Sequence, residues 1–278
     1  MHSSVCGILY SIVINKLKCI IKSYNTFVMK IVSVITNNET FIDLQLKSFQ
    51  KYIHVPYEYI VFNDGKDFPD STNNDVPNKT TIRDKCASLN IRCIDLENEH
   101  HRIQSSASLR HSDSLQVVTG FMKENKDEYL IIDGDMFLMD HLDIDKYRKY
   151  HCACVLQQRN ITYIWPNFLY IDMCKIDNLD DLHLGCGYGG DTGAASHTWL
   201  MKQQTQFPDT KTIRHSNEQF TSEKFYFIKH LWSLKWNKNE LKSNLTSRSN
   251  LLEYLEADER NENGNYFCEI YDKCFFHY

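Results

Sequence analysis

Asp133 and Asp135 are the residues of this chain best suited to do chemistry. They stand one residue apart at the end of the apolar run Tyr129-Leu130-Ile131-Ile132, with Gly134 between them and Met136-Phe137 after them. Side chains two apart along an extended chain project to the same side, so the two carboxylates can converge on one point. A glycine between them leaves room for a large ligand. Such a pair suits a hard cation. It supplies too few oxygens to complete an Mg²⁺ or Mn²⁺ sphere, and these ions usually take the remainder from water and substrate phosphates. An Asp-Gly turn closing a buried strand is the plainer reading of the same residues.

The elements that would position this pair follow from hydrophobic patterning. The polar run 123–127 ends a helix, and the apolar run after it predicts a strand buried on both faces, the habit of parallel sheets in α/β proteins. Upstream, residues 31–35 predict a first strand that exits through Thr36-Asn37-Asn38-Glu39. Thr40-x-x-Asp43 reads as a capping box, and Ile42, Leu46, Phe49 and Ile53 recur at helical spacing. A second strand over 57–62 ends in the turn Asn63-Asp64-Gly65. A polar loop with Pro69 and Pro77 leads to a helix opened by Thr80 or Thr81, a short strand over 91–94 and a longer helix over about 105–123. This alternation predicts an open, mainly parallel sheet with helices on both faces. Ligands of such sheets bind beyond the carboxyl ends of the strands, so the loops holding Thr36, Asn37, Asp64 and Asp133 should meet at one edge.

Composition excludes several classes. With 278 residues, 42% hydrophobic and 13% aromatic, the chain is globular and long enough for one large or two small domains. A formal charge of −5 leaves no basic stripe to neutralise a nucleic-acid backbone, so any bound nucleotide is a small one. The ten cysteines contain no C-x-x-C, the closest pair being Cys152-x-Cys154, so zinc-finger and thioredoxin spacings are absent. Scattered free thiols in a reducing compartment are the simpler account. Of the N-x-S/T sequons at Asn38, Asn78, Asn160 and Asn244, the first lies in the first exit loop, where a glycan would block a ligand. The expectation is a cytoplasmic protein. The apolar run 5–14 is too short to span a bilayer and no longer than the core of a signal peptide. Residues 1–28 are therefore read as a non-essential extension, with membrane association through 5–14 as the alternative, and 29–278 as a single domain.

A first strand exiting in Thr36-Asn37, a second ending in Asn63-Asp64-Gly65, Ser108-x-Arg110 on the helix before the motif, and then Asp133-Gly134-Asp135 together resemble the GT-A glycosyltransferases. The likeness is greatest to the glycogenin-like and galactosyltransferase-like group. It implies a Rossmann-like α/β fold with a small second antiparallel sheet, and transfer of sugar from a nucleotide-diphosphate sugar, a UDP-sugar foremost, to a glycan, protein or small-molecule acceptor. By the same likeness Asp133 and Asp135 hold Mn²⁺ or Mg²⁺ against the diphosphate, and His277, closing the apolar segment Cys274-Phe275-Phe276-His277, completes the metal site. Thr36, Asn37, Asp64, Arg110 and Gly134 then hold the nucleotide. An exposed histidine at the end of a terminal strand is the plain alternative for His277. The family usually continues with glycines and a lysine or tryptophan that grip the phosphates, and this sequence ends at Tyr278.

The remainder is read more coarsely. Residues 152–156 predict a strand and 163–172 a strand pair broken at Pro166. Related enzymes place Asn-x-Gly here to touch the donor sugar. This chain has Trp165-Pro166-Asn167, which makes Asn167 a candidate sugar contact and Trp165 either a stacking platform or a core residue. In the glycine-rich stretch 184–193, Gly185, Gly187 and Gly190 satisfy G-x-G-x-x-G, but so late in the chain that a dinucleotide site is rejected. A flexible loop bringing Gly190 close to the sugar fits better. Asp191 resembles the acidic residue beside the anomeric carbon, either as base or as stabiliser of an oxocarbenium-like state, while an Asp capping a helix over 194–201 is its other reading. Residues 143–148 read as a solvated face, the aromatic stretch 220–236 as core and 251–259 as a helix. The nucleotide-sugar half is set at about 29–140 and the acceptor side at about 141–278. Two further readings stand beside the transferase: a non-catalytic nucleotide-sugar or carbohydrate binder of the same fold, and a haloacid-dehalogenase-like phosphatase, which also carries two aspartates after an apolar strand.

Overall fold

The structure is a computed structural model and describes residues 28–69, 77–207 and 220–228, together with the strands at 230–231, 235–237, 265–267, 269–271 and 275–277. The expectations for residues 1–27, Asn244 and the helix over 251–259 lie outside these residues. In chain order the first elements are β1 (Met29–Ile35), α1 (Thr40–Tyr52), β2 (Tyr57–Asn63), α2 (Lys79–Ser88), β3 (Arg92–Asp95), α3 (His100–Ile103), α4 (Ala107–Glu124) and β4 (Glu128–Ile132). Then come β5 (Met136–Leu138), α5 (Ile144–Arg148), β6 (Cys152–Gln158), β7 (Thr162–Asp172), a 3-10 turn (Ala194–Ser196) and α6 (His197–Lys202). The last strands are β8 (Phe220–Thr221), β9 (Phe225–Phe227), β10 (His230–Leu231), β11 (Lys235–Asn237), β12 (Asn265–Phe267), β13 (Glu269–Tyr271) and β14 (Phe275–His277).

Eight strands form one sheet in the order β3-β2-β1-β4-β7-β6-β9-β8. The pairs β2·β3, β1·β2, β1·β4 and β6·β9 are parallel and the other three antiparallel. This is the Rossmann-like α/β architecture expected, with a mainly parallel central sheet. Alternation along β1 shows why both faces are covered. Met29, Ile31 and Ile35 pack on one side with Ile42 and Phe49 of α1 and Ile82 of α2. Val32 and Val34 pack on the other with Leu115, Val118 and Met122 of α4 and Trp199 of α6. Each fully buried aliphatic side chain of this kind contributes about 1.5–3 kcal/mol, so the strands that carry the loops are held from above and below.

A second sheet, β10-β13-β14-β5, is antiparallel. Its strand β5 begins directly after Asp135, so the Asp133–Asp135 segment is the crossing from the large sheet to the small one.

Three local readings are corrected. Residues 162–172 are one strand, not a pair broken at Pro166. The β6·β7 register jumps from Cys154↔Leu169 to Val155↔Trp165, which leaves Pro166 opposite the irregularity, where a missing N–H costs no ladder bond. Thr40 is the first helical residue of α1 and Glu39 its N-cap, so Thr40 does not head a capping box; Asn38 Oδ1, one residue before the cap, accepts from Thr40 N–H at 3.0 Å. The 143–148 segment is not only a solvated face. Arg148 Nε and Nη2 each donate to the buried Glu128 carboxylate at 2.8 Å, and Tyr170 Oη donates to the same group at 2.7 Å.

The aromatic stretch does supply core where it is described, with Phe225, Tyr226 and Phe227 buried on β9. Among the described residues no helix is long and apolar enough to cross a membrane.

Candidate functional site

Three parallel strands, β1, β2 and β4, end side by side at Ile35, Asn63 and Ile132. Beyond those ends lies a cleft of about 230 Å³ whose lining includes Thr36, Asn37, Asp64, Arg110 and Asp133. Five residues singled out from separate parts of the sequence thus share one concavity. Whole-ligand pockets usually run to about 300–1,000 Å³, so this cleft has the size for part of a ligand, with the rest lying outside.

The floor at Asp64 is built rigidly. Its N–H donates to Ile35 O at 2.9 Å, which ties the end of β2 to the end of β1. Asn63 Oδ1 accepts from Gly65 N at 3.0 Å, and its Nδ2 donates to Asp95 Oδ1 at 2.8 Å. Asn78 Nδ2 donates to Thr36 O at 2.8 Å while its Oδ1 accepts from Lys66 N at 3.0 Å, which stitches the two exit loops together.

The Asp64 carboxylate itself is 2% exposed and lies between two imidazoles. His100 Nε2 is 2.9 Å from Oδ1, and His101 Nε2 is 3.1 Å from Oδ2 and 3.0 Å from the Asp64 carbonyl oxygen. Burial alone would push this carboxyl up, but the neighbouring His100 and His101 outweigh it and hold it below the usual carboxylate range. His100 moves in the complementary direction, raised chiefly by Asp64 against the opposing effect of its own burial.

Across the cleft, Arg110 sits in the first turn of α4 with its N–H on Ser106 O at 3.1 Å. Among the described residues no carboxylate forms an ion pair with it, although the cleft holds two carboxylates, Asp64 and Asp133. A guanidinium placed this way offers its forked donors to an incoming anion.

Asp133 and Asp135 do not lie on the extended chain that their spacing predicts. Gly134 and Asp135 form a turn, closed by Met136 N–H on Asp133 O at 3.1 Å, because the chain must leave the large sheet here and enter the small one. Gly134 N–H donates to Asp133 Oδ1 at 2.9 Å. Gly134 is small for a packing reason. A Cβ there would lie 2.6 Å from the carbonyl oxygen of Val34, so the turn is pressed against the end of β1 and the missing side chain serves this close approach.

From below, the fully buried Gln45 of α1 donates through Nε2 to Asp133 O at 2.7 Å and to Met136 O at 3.0 Å. Its Oε1 accepts from Tyr59 Oη at 2.5 Å. On the flank, Asp133 N–H donates to Asn167 O at 2.9 Å, so Asn167, 8% exposed, meets the motif through its main chain. In the small sheet β14 pairs with β5 in the register His277↔Met136, which puts His277 in line with the residue directly after Asp135.

Asp191 is not among the residues lining the cleft. Its Oδ1 accepts from Thr192 N at 2.8 Å, and its Oδ2 lies 3.6 Å from Arg159 Nη2. The glycine-rich stretch is docked, not loose. Cys186 N–H donates to Ser112 Oγ at 2.8 Å and Thr192 Oγ1 to Ser108 O at 3.0 Å, on the same turns of α4 that carry Arg110. Gly190 closes a turn on Gly187 O at 2.8 Å. Gly193 has φ +91°, and a Cβ there would lie 2.0 Å from Ile164 O, so its smallness serves packing against β7. Trp165 is half-buried against the core.

Sequence reasoning passed over His100, His101, Lys66 and His111, of which the last three with Asp64 line the cleft. A signal existed for the first two. The dipeptide His100-His101 follows the third strand, and every strand exit on this edge delivers residues to the same place.

No family model matches the chain, and no curated protein matches it. Among solved structures, the crystal structure of S. aureus TarS is similar over 48% of this chain at 15% sequence identity and a TM-score of 0.31. The chain spans 22% of the length of that protein, and a likeness of this extent carries no argument.

Proposed function

We propose that this protein is a metal-dependent glycosyltransferase that takes its sugar from a nucleotide-diphosphate sugar, a UDP-sugar foremost. The observation that carries the reading is the convergence of Thr36, Asn37, Asp64, Arg110 and Asp133 in one cleft at the carboxyl ends of β1, β2 and β4. Asp64, kept ionised and fixed by its imidazole neighbours, accepts from a base N–H or from ribose hydroxyls, and Thr36 and Asn37 border the same part of the ligand. Arg110 donates to ribose or phosphate from the opposite wall.

The donor set around the turn suits the family's cation, since two carboxylates and one imidazole are acceptable to Mn²⁺ and the register brings His277 level with the motif. Asp133, Asp135 and His277 would hold Mn²⁺ or Mg²⁺, which supplies positive charge to the departing diphosphate. Gln45 positions Asp133 by holding its carbonyl oxygen, and the α4 contacts of Thr192 and Cys186 keep the Asp191 loop beside the helix that carries Arg110. Asp191 and Gly190 are assigned to the sugar end of the donor, Asp191 as base or as stabiliser of positive charge at the anomeric carbon. Asn167, next to Asp133, is assigned to the same end.

The test is calorimetric titration of nucleoside diphosphates and sugar nucleotides with Mn²⁺ and with EDTA, on the wild type and on Asp135→Ala. Metal-dependent binding of one nucleotide that is lost in the variant supports the reading and names the base. Absence of binding under every condition overturns it.

A further inference from the structure

The Asp64, His100 and His101 constellation has the donors and spacing of a metal site distinct from Asp133 and Asp135. One ligand atom from each of the three residues lies within 4.8 Å of the other two. The closest pairs, His100 Nε2 to Asp64 Oδ1 at 2.9 Å and His101 Nε2 to Asp64 Oδ2 at 3.1 Å, compare with about 3.3 Å between neighbouring ligands of a tetrahedral ion at bond lengths near 2.0 Å.

His101 Nε2 hydrogen-bonds Asp64, and a second observation separates the His100 contact from an ordinary His-Asp hydrogen bond. His100 Nε2 and Asp64 Oδ1 are both buried, face each other at 2.9 Å, and neither has a hydrogen-bond partner among the described residues. The short contact therefore lies outside hydrogen-bond geometry. A buried ring nitrogen and a buried carboxylate oxygen this close, with no hydrogen-bond partner among the described residues, can both be satisfied by a cation seated off their axis. The surroundings are dry, with side-chain exposures of 10% for His100 and 2% for each of Asp64 and His101, and a buried charge of this kind is stable only when paired or coordinated.

We infer that Asp64, His100 and His101 form a three-ligand site for a borderline transition ion, Zn²⁺ by preference. Two imidazoles and one carboxylate favour Zn²⁺ over Mg²⁺ or Ca²⁺, which take oxygen ligands. Three protein ligands leave a fourth position, and because Asp64 and His101 line the cleft, that position opens toward it. An oxygen or nitrogen of whatever occupies the cleft can take it. The inference rests on these three residues and stands whether or not the protein transfers sugar.

The experiment is diffraction from crystals of the full chain grown with one equivalent of Zn²⁺, with anomalous data at the zinc edge, beside zinc titrations of wild type, Asp135→Ala, His100→Gln and His101→Gln. An anomalous peak within bonding distance of Asp64, His100 and His101 is expected. With Asp135→Ala removing a ligand of the other cation site, the zinc affinity that remains in that variant should be at least tenfold weaker in each histidine variant whose circular dichroism matches wild type. No peak at these three residues in the wild type overturns the inference, and so does undiminished zinc affinity in folded His100→Gln and His101→Gln. Should the histidine variants not fold, the wild-type anomalous map decides alone.

Discussion

Gln45 holds Asp133 by its main chain. The buried amide donates 2.7 Å to the Asp133 carbonyl oxygen and 3.0 Å to that of Met136, and so bridges both ends of the turn that joins the two sheets. Methionine in its place fills similar space without donors, so the Asp133 and Met136 carbonyl oxygens and the Tyr59 hydroxyl each lose one buried hydrogen bond. Gln45→Met should lower stability by about 3 kcal/mol in urea unfolding. Nucleotide affinity should fall with it, because the carboxylates lose their support.

Gly134→Ala tests whether the turn must press on β1. The added methyl meets the Val34 carbonyl oxygen at 2.6 Å, backbone against which no rotamer gives relief. A loss of about 2 kcal/mol in stability is expected, with metal-dependent nucleotide binding weakened more than tenfold. Wild-type binding by this variant would show that the turn tolerates displacement.

Arg110 lines the cleft with no ion-pair partner among the described residues, so its replacement leaves no buried charge stranded. Arg110→Met should therefore melt within a few degrees of wild type. Its affinity for nucleoside diphosphates should drop about tenfold to a hundredfold, the usual worth of hydrogen bonds to a charged group. Arg110→Lys should recover only part of this, because an ammonium does not reproduce the guanidinium fork.

Away from the cleft, Arg148 neutralises Glu128, whose side chain is 5% exposed. Arg148→Met strands that carboxylate and should cost about 3 kcal/mol, measured by denaturant unfolding. The double variant with Glu128→Met should regain most of the loss, since the penalty comes from an unpaired buried charge.

His151 is held below the ordinary histidine range by burial first, then by Lys224 and Lys175, with Asp177 and Asp172 opposing. A ring that binds its proton less readily when folded takes one up on unfolding, so acid favours the unfolded chain. The stability it allows is present above the ordinary pKa of about 6.5 and is lost as pH falls through and below that value. Thermal melts from about pH 8 to about pH 5 should show a smaller acid loss in His151→Gln than in wild type.

Much of the cleft was legible in the chain because strand exits are local events. The Thr36-Asn37 and Asn63-Asp64-Gly65 segments announce themselves as turns after apolar runs, and the rule that parallel strands present their carboxyl ends together brings them to one edge. The glycines misled for a physical reason. Gly134 reads as space for a ligand and the stretch 184–193 as a flexible loop, yet Gly134 and Gly193 each mark a backbone oxygen pressing in from another strand, and the sequence carries no trace of that neighbour. His100 and His101 went unweighed because their partner, Asp64, lies 36 and 37 positions away.

By itself the sequence determined the alternation of strand and helix, the two-faced burial of β4 and the identity of the residues at the strand ends, since periods of 2 and 3.6 are properties of the chain's own geometry. Only the tertiary structure decided that the Asp133–Asp135 segment is a turn between two sheets, that Gln45 supports it from beneath, and that one carboxylate lies between two imidazoles. Those relationships join elements far apart along the chain, and their distances are set by how helices and sheets pack, to within a fraction of an ångström, in a close-packed interior.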